Sequence, residues 1–120
     1  EKFPPYFKRN GDIILEQDEA IPHSVGITGK IVHTPGHTQD SLSVLVGNNA
    51  FVGDTARNLL NFLGNPYEPF LYYDHNACLE SWAKLLSLGA KSIHPAHGQS
   101  FPAERLHAQP IIEPDAILPP

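Results

Sequence analysis

The chain has 120 residues with 41% hydrophobic and 18% charged positions, a size and mix that suit one domain with one buried core. Net charge is -5 and the eight Lys and Arg residues are scattered, so there is no basic stripe to neutralise phosphates and nucleic acid is not an expected partner. No run of about 18 apolar residues occurs and no basic, apolar leader opens the chain, which leads to the expectation of a soluble, cytoplasmic protein without membrane contact.

The chain opens Glu-Lys-Phe-Pro-Pro-Tyr-Phe and contains no Met, which reads as a piece excised from a longer protein. Twelve prolines, about twice the usual ~5%, announce many loops. Asp12 to Glu16 holds Ile13, Ile14 and Leu15 after the turn signal Asn10-Gly11 and is expected to be a short strand. Val25 to His33 carries β-branched residues interrupted by Gly26 and Gly29, the pattern of an edge or bulged strand that ends at Thr34-Pro35-Gly36. Ser41 to Val46 and Ala50 to Gly53 flank Gly47-Asn48-Asn49, which favours a hairpin.

Thr55 to Leu63 is expected to form a short helix, followed by irregular chain marked by Gly64, Pro66 and Pro69. From Asp74 to Leu88 the apolar residues Cys78, Leu79, Trp82, Leu85 and Leu86 recur at helical spacing. Asp74 stands as N-cap and Gly89 as the stop. Cys78 is the single cysteine, so no internal disulfide can form, and within this helix it reads as a buried thiol rather than a nucleophile. Lys91 to His94 is a short strand, Pro102 to Ala108 one or two helical turns, and Ile111 to Pro120 part of an extended tail.

His37, Asp54 and His97 each follow a predicted strand. Strand ends on one edge of a sheet converge, and imidazole with carboxylate is a donor set for zinc and similar divalent ions. Each residue also has a plain role. A surface His is usually just solvated, and an Asp after a strand is usually a turn former or helix N-cap. The ordered succession separates the readings: Thr34-Pro35-Gly36-His37-Thr38, then Phe51-Val52-Gly53-Asp54-Thr55, then, after a helix, His94-Pro95-Ala96-His97-Gly98.

This succession resembles the later motifs of the metallo-β-lactamase fold, a superfamily that includes thioester hydrolases, lactonases, β-lactamases and some nucleases. The resemblance runs from about Asp12 to Arg105. It implies an α+β chain, half of an αββα sandwich, with a mainly antiparallel or mixed sheet and helices on one face. Residues 12–108 would be the C-terminal half of such a domain and 109–120 its tail. The resemblance also implies that His37 binds one metal, Asp54 bridges two and His97 binds the second. Zinc is the first expectation, with iron or manganese as alternatives.

The implied activity is ester, thioester or lactone hydrolysis of a small-molecule substrate by metal-bound hydroxide, with Asp54 orienting that hydroxide. A non-catalytic metal-binding or scaffold module of the same fold is the alternative. Two small departures are Pro-Ala-His-Gly around Ala96, where the family often has Pro-Gly-His-Gly, and Asp40 before Ser41, where Thr-x-Gly-Ser is common. A larger one is that the family's His-x-His-x-Asp-His loop does not occur here. His33 and His94 do not replace it and read as strand residues or as supports for a ligand; His23, His75 and His107 carry less weight. The expectation is therefore a chain with weak or no activity alone, which pairs as a homodimer or with the missing half.

Overall fold

In the computed structural model, residues 9–10 and 15–108 are described. Most of the expected strand at Asp12 to Glu16 and the whole 109–120 tail lie outside them. Among the described residues one sheet has six strands in sequence order: β1 (Glu19–Ala20), β2 (Lys30–His33), β3 (Leu42–Val46), β4 (Asn49–Gly53), β5 (Ser92–Pro95) and β6 (Phe101–Pro102). Neighbours are antiparallel except β4 and β5, which run parallel. A parallel pair needs a long crossover, and here residues 54–91 supply it, including the helix α1 (His75–Ser87). The sheet is mixed and the chain is α+β, as the resemblance implies.

Alternation decides which face is buried. Val32, Ser43, Leu45, Ala50, Val52 and Ile93 point to one side, and Leu79, Trp82 and Leu85 of α1 share the core with the apolar ones. Asp74 caps α1 by accepting from the Ala77 N–H at 3.1 Å, which satisfies one of the free donors of a helix start. The opposite face carries Leu42 and Phe51, both exposed. Among the described residues no helix is long and apolar enough to cross a membrane.

The strand expected over Val25 to His33 is shorter and is not the edge. A 3-10 turn (His23–Val25) closes on Gly26 at φ +86°, a conformation costly for any residue with a Cβ. The short β1 then pairs outside β2. The helix expected over Thr55 to Leu63 is absent: Leu59, Leu60, Phe62 and Leu63 are all exposed, so no apolar stripe is buried, and Leu60 adopts φ +55°. The hairpin is as expected, although its turn shortens to Gly47-Asn48 because Asn49 already pairs with Val46. The closing 3-10 helix spans Ala103–Ala108.

Candidate functional site

Three strand ends meet at the site, and buried hydroxyls tie them together behind it. Thr34 Oγ1 lies 2.8 Å from Ser43 Oγ and 3.3 Å from Thr55 Oγ1, linking the end of β2, the start of β3 and the turn after β4. Trp82 Nε1 donates to Thr55 O at 2.8 Å. All three hydroxyl side chains are buried, so each needs such partners to offset desolvation.

The loop after β2 is pinned by α1. Ser81 Oγ donates to Pro35 O at 2.7 Å, and Gly36 O accepts from Tyr73 N at 2.9 Å. Gly36 has φ +147°, and a Cβ there would meet Cys78 Sγ and lie 2.6 Å from Cys78 N. Only glycine lets this loop lie on the helix, and His37 emerges just beyond it. Its Nδ1 donates to Leu71 O at 2.6 Å. A carbonyl only accepts, so the proton sits on Nδ1 and the lone pair of Nε2 is free. Nε2 stands 3.7 Å from Asp54 Oδ2.

Asp54 follows Gly53, whose φ of +56° turns the chain out of β4. Its other oxygen, Oδ1, accepts from His97 Nδ1 at 2.8 Å. His97 lies beyond β5, where Ala96 N donates to Gly53 O at 2.9 Å and Asn58 N donates to His97 O at 3.0 Å. The three side chains are 29%, 42% and 63% exposed for His37, Asp54 and His97. They border a cavity of about 210 Å³ walled by Arg57, Leu59, Pro69, Phe70 and Leu71.

Arg57 organises that wall. Its Nε donates to Glu68 O, its Nη1 to Leu59 O and Asn61 Oδ1, and its Nη2 to Leu63 O and Asn65 O. A guanidinium has five N–H groups, and here each has an acceptor. Phe70 lies against the guanidinium face with Cζ 3.8 Å from the ring centroid. Burial draws the Arg57 pKa below its ordinary value, while nearby Glu68 opposes that shift. Glu68 in turn faces His75 Nε2 at 2.9 Å, which ties the loop to the first turn of α1.

Sequence reasoning missed Arg57 and Asn58. Asn58 also donates through Nδ2 to Gln99 O at 2.8 Å and accepts from Asn61 Nδ2 at 2.8 Å, so the loop reaches His97 as well as His37. A polar pair inside a stretch of leucines was the available signal. The other histidines lie elsewhere. His94 stacks on Phe51 across the open face, with Nδ1 at 2.6 Å from Ser100 Oγ and Nε2 at 2.9 Å from Asn49 Oδ1. His33 binds Asp18. Cys78 is a free, buried thiol. Burial pushes its pKa up to about 11, helped by Glu68 and Asp74, so it is a poor nucleophile at neutral pH.

Among the described residues no three His, Cys, Asp or Glu side chains surround a single point as a metal cage. The donors fall instead into two pairs that share Asp54, one oxygen toward each imidazole. Such a set could serve two ions, each partly coordinated by this chain, if the His97 Nδ1–Asp54 Oδ1 hydrogen bond gave way, and a backbone carbonyl already leaves His37 Nε2 unprotonated.

A mixed sheet whose strand ends bring a carboxylate between two imidazoles defines a class of strand-end donor site, and sequence comparison supplies its family. The chain belongs to the metallo-beta-lactamase superfamily, whose family model matches residues 1–97. It is 33% identical over 73 residues to the metallo-beta-lactamase fold-containing protein ST1585 of Sulfurisphaera tokodaii, a match covering 61% of this chain and 28% of that protein. The crystal structure of the archaeal superfamily protein ST1585 from Sulfolobus tokodaii is similar with a TM-score of 0.61 and 25% identity, over 80% of this chain and 37% of that one. TMB-1 shares the fold with a TM-score of 0.58 and 20% identity, over 84% of this chain and 46% of that one. The chain thus spans less than half the length of each of these relatives.

Proposed function

We propose that the chain carries part of the metal site of a hydrolase, with His37 and His97 as donors to one ion each and Asp54 as the carboxylate common to both. The observation that supports this most is the split use of Asp54, with Oδ2 facing His37 Nε2 at 3.7 Å and Oδ1 facing His97 Nδ1 at 2.8 Å. Divalent ions, zinc first and iron or manganese as alternatives, would supply water of lowered pKa, about 7, and polarise a substrate oxygen. The chain's own part is to hold donors. Leu71 O fixes the His37 tautomer, the Gly53 turn presents Asp54, and Asn58 anchors the His97 main chain. Asp54 would also accept the hydrogen bond that orients the attacking water.

Zinc titration by calorimetry tests this reading. The 120-residue chain should take up zinc, and His37→Ala and Asp54→Ala should each weaken uptake about tenfold or more, as loss of a donor or its support does. Unchanged uptake in both variants removes these residues from the site. With half of the donor set missing, esterase turnover by the chain alone is expected to be weak or undetectable. The open sheet face carrying Leu42 and Phe51 would be covered by a second copy or by the complementary half of the fold. A monomer in light scattering at high concentration counts against self-pairing.

A further inference from the structure

The cavity beside Asp54 has apolar walls and a cation with no donor left to give. Leu59, Pro69, Phe70 and Leu71 form the wall, and Arg57 is its one positively charged member apart from the histidines. A free arginine in such a place would anchor a carboxylate or phosphate through paired N–H groups. Arg57 has no N–H to offer, because all five meet acceptors within residues 59–68. Its flat face is covered by Phe70, and the Glu68 carboxylate lies close enough to oppose its field. In the metal-free chain an anion entering the cavity would meet Asp54 without compensation from this wall.

Apolar contact is what remains. Leu71 is 76% exposed, Phe70 51% and Leu59 47%, so each has surface that a ligand can remove from water. An apolar cavity of about 150 Å³ is enough to bind benzene, so one of about 210 Å³ has room for a short chain.

We propose that this wall receives a short, uncharged, apolar part of the substrate, the small acyl or alkyl chain on this side of the scissile bond. Leu71 joins recognition to positioning: its side chain lines the cavity and its carbonyl holds His37. The proposal rests on the reading that Asp54 and the two histidines mark where the bond is broken.

The test is an NMR titration of the 120-residue chain kept metal-free with a chelator, using methyl pentanoate and pentanoate as neutral and anionic probes of similar size. The ester should shift the amide signals of Leu59, Phe70 and Leu71 and saturate, with pentanoate binding at least fivefold more weakly. Leu71→Ser should weaken the ester at least threefold, and because the side chain is exposed the fold should survive, as an otherwise unchanged spectrum will show. Pentanoate binding as tightly as the ester, or an ester that shifts none of these signals, overturns the proposal. No metal is present, so this outcome is independent of the zinc titration and the two readings can fail separately.

Discussion

The loops that carry His37, Asp54 and His97 and the connection from residue 56 to 73 flank the same cavity, yet they are held by different physics. The first three are extensions of strands. Their direction is fixed by main-chain pairing, by buried hydroxyls among Thr34, Ser43 and Thr55, and by α1 through Ser81 and Trp82. The second has little regular structure and wraps around the guanidinium of Arg57. A site can therefore take its donors from a rigid sheet and its wall from a loop ordered by one side chain. The two then meet at a few hydrogen bonds: His37 Nδ1 donates to Leu71 O, Tyr73 N to Gly36 O, Asn58 N to His97 O and Asn58 Nδ2 to Gln99 O.

The sharpest way to separate the two regions is Arg57→Leu. It removes the guanidinium donor from four main-chain carbonyls and Asn61 Oδ1. Leaving a buried acceptor without its donor costs about 1–3 kcal/mol, and such losses are concentrated here in the loop. Hydrogen exchange should show lost protection at position 57, Leu63 and Glu68, whose amides bond within the loop, while β3 and β4 keep theirs. Lost protection throughout the sheet would mean that the two regions are one cooperative unit.

Gly98→Ala probes the contact from the other side. Gly98 has φ +95°, and a Cβ there would run into the Asn58 backbone, lying about 3.0 Å even from Asn58 Cα. Left-handed strain alone costs about 1–3 kcal/mol, and the collision adds to it. A lowered melting temperature is expected, together with shifted NMR signals at Asn58 and His97. Unshifted signals at Asn58 would show that the loop does not depend on this contact.

The same contrast explains what the sequence reveals. Asp74 to Leu88 reads as a helix because its buried residues repeat at helical spacing, and the ends of β3 and β4 read as a hairpin because Gly47-Asn48 suits the turn. His37, Asp54 and His97 stand out because regular strands deliver them in order. Thr55 to Leu63 misleads because local composition favours helix, whereas Arg57 draws the carbonyls of Leu59 and Leu63 inward, away from helical partners. The sequence marks no such convergence: Arg57 meets residues two to eleven positions away, without a period. Gly26 similarly shortens β2 through a turn that β-branched neighbours conceal.

A smaller effect is expected from Asp74→Ala, which removes the cap of α1. Loss of such a cap costs about 1 kcal/mol. Since α1 holds Pro35 and Gly36, fraying of its first turn should loosen the loop ahead of His37 and leave His97 unaffected. Denaturant unfolding gives the cost, and amide shifts at Thr38 against those at Gly98 show which side moves. Equal shifts at both would blur the division between the regions.

The smallest effect lies away from the cavity, at Asp18, and depends on pH. Asp18 Oδ2 meets Lys84 Nζ at 2.8 Å, and Oδ1 accepts from His33 N at 2.7 Å. Its carboxyl is lowered from 3.8 to about 2, chiefly by the Lys84 hydrogen bond and against the opposing effect of burial. A carboxylate depressed on folding stabilises the native state above its unfolded pKa, and that stabilisation is lost as pH falls through the folded value. The window here is from about pH 4 down to about pH 2. Both partners are more than a third exposed, so solvent screening limits the gain to below about 1 kcal/mol. Melting temperatures of the native chain and Asp18→Asn should differ slightly at about pH 5 and converge near pH 2. A gap that persists at the acid end would mean that the substitution disturbs the end of β2 by shape rather than by charge, and that the strand region too is locked by individual side chains.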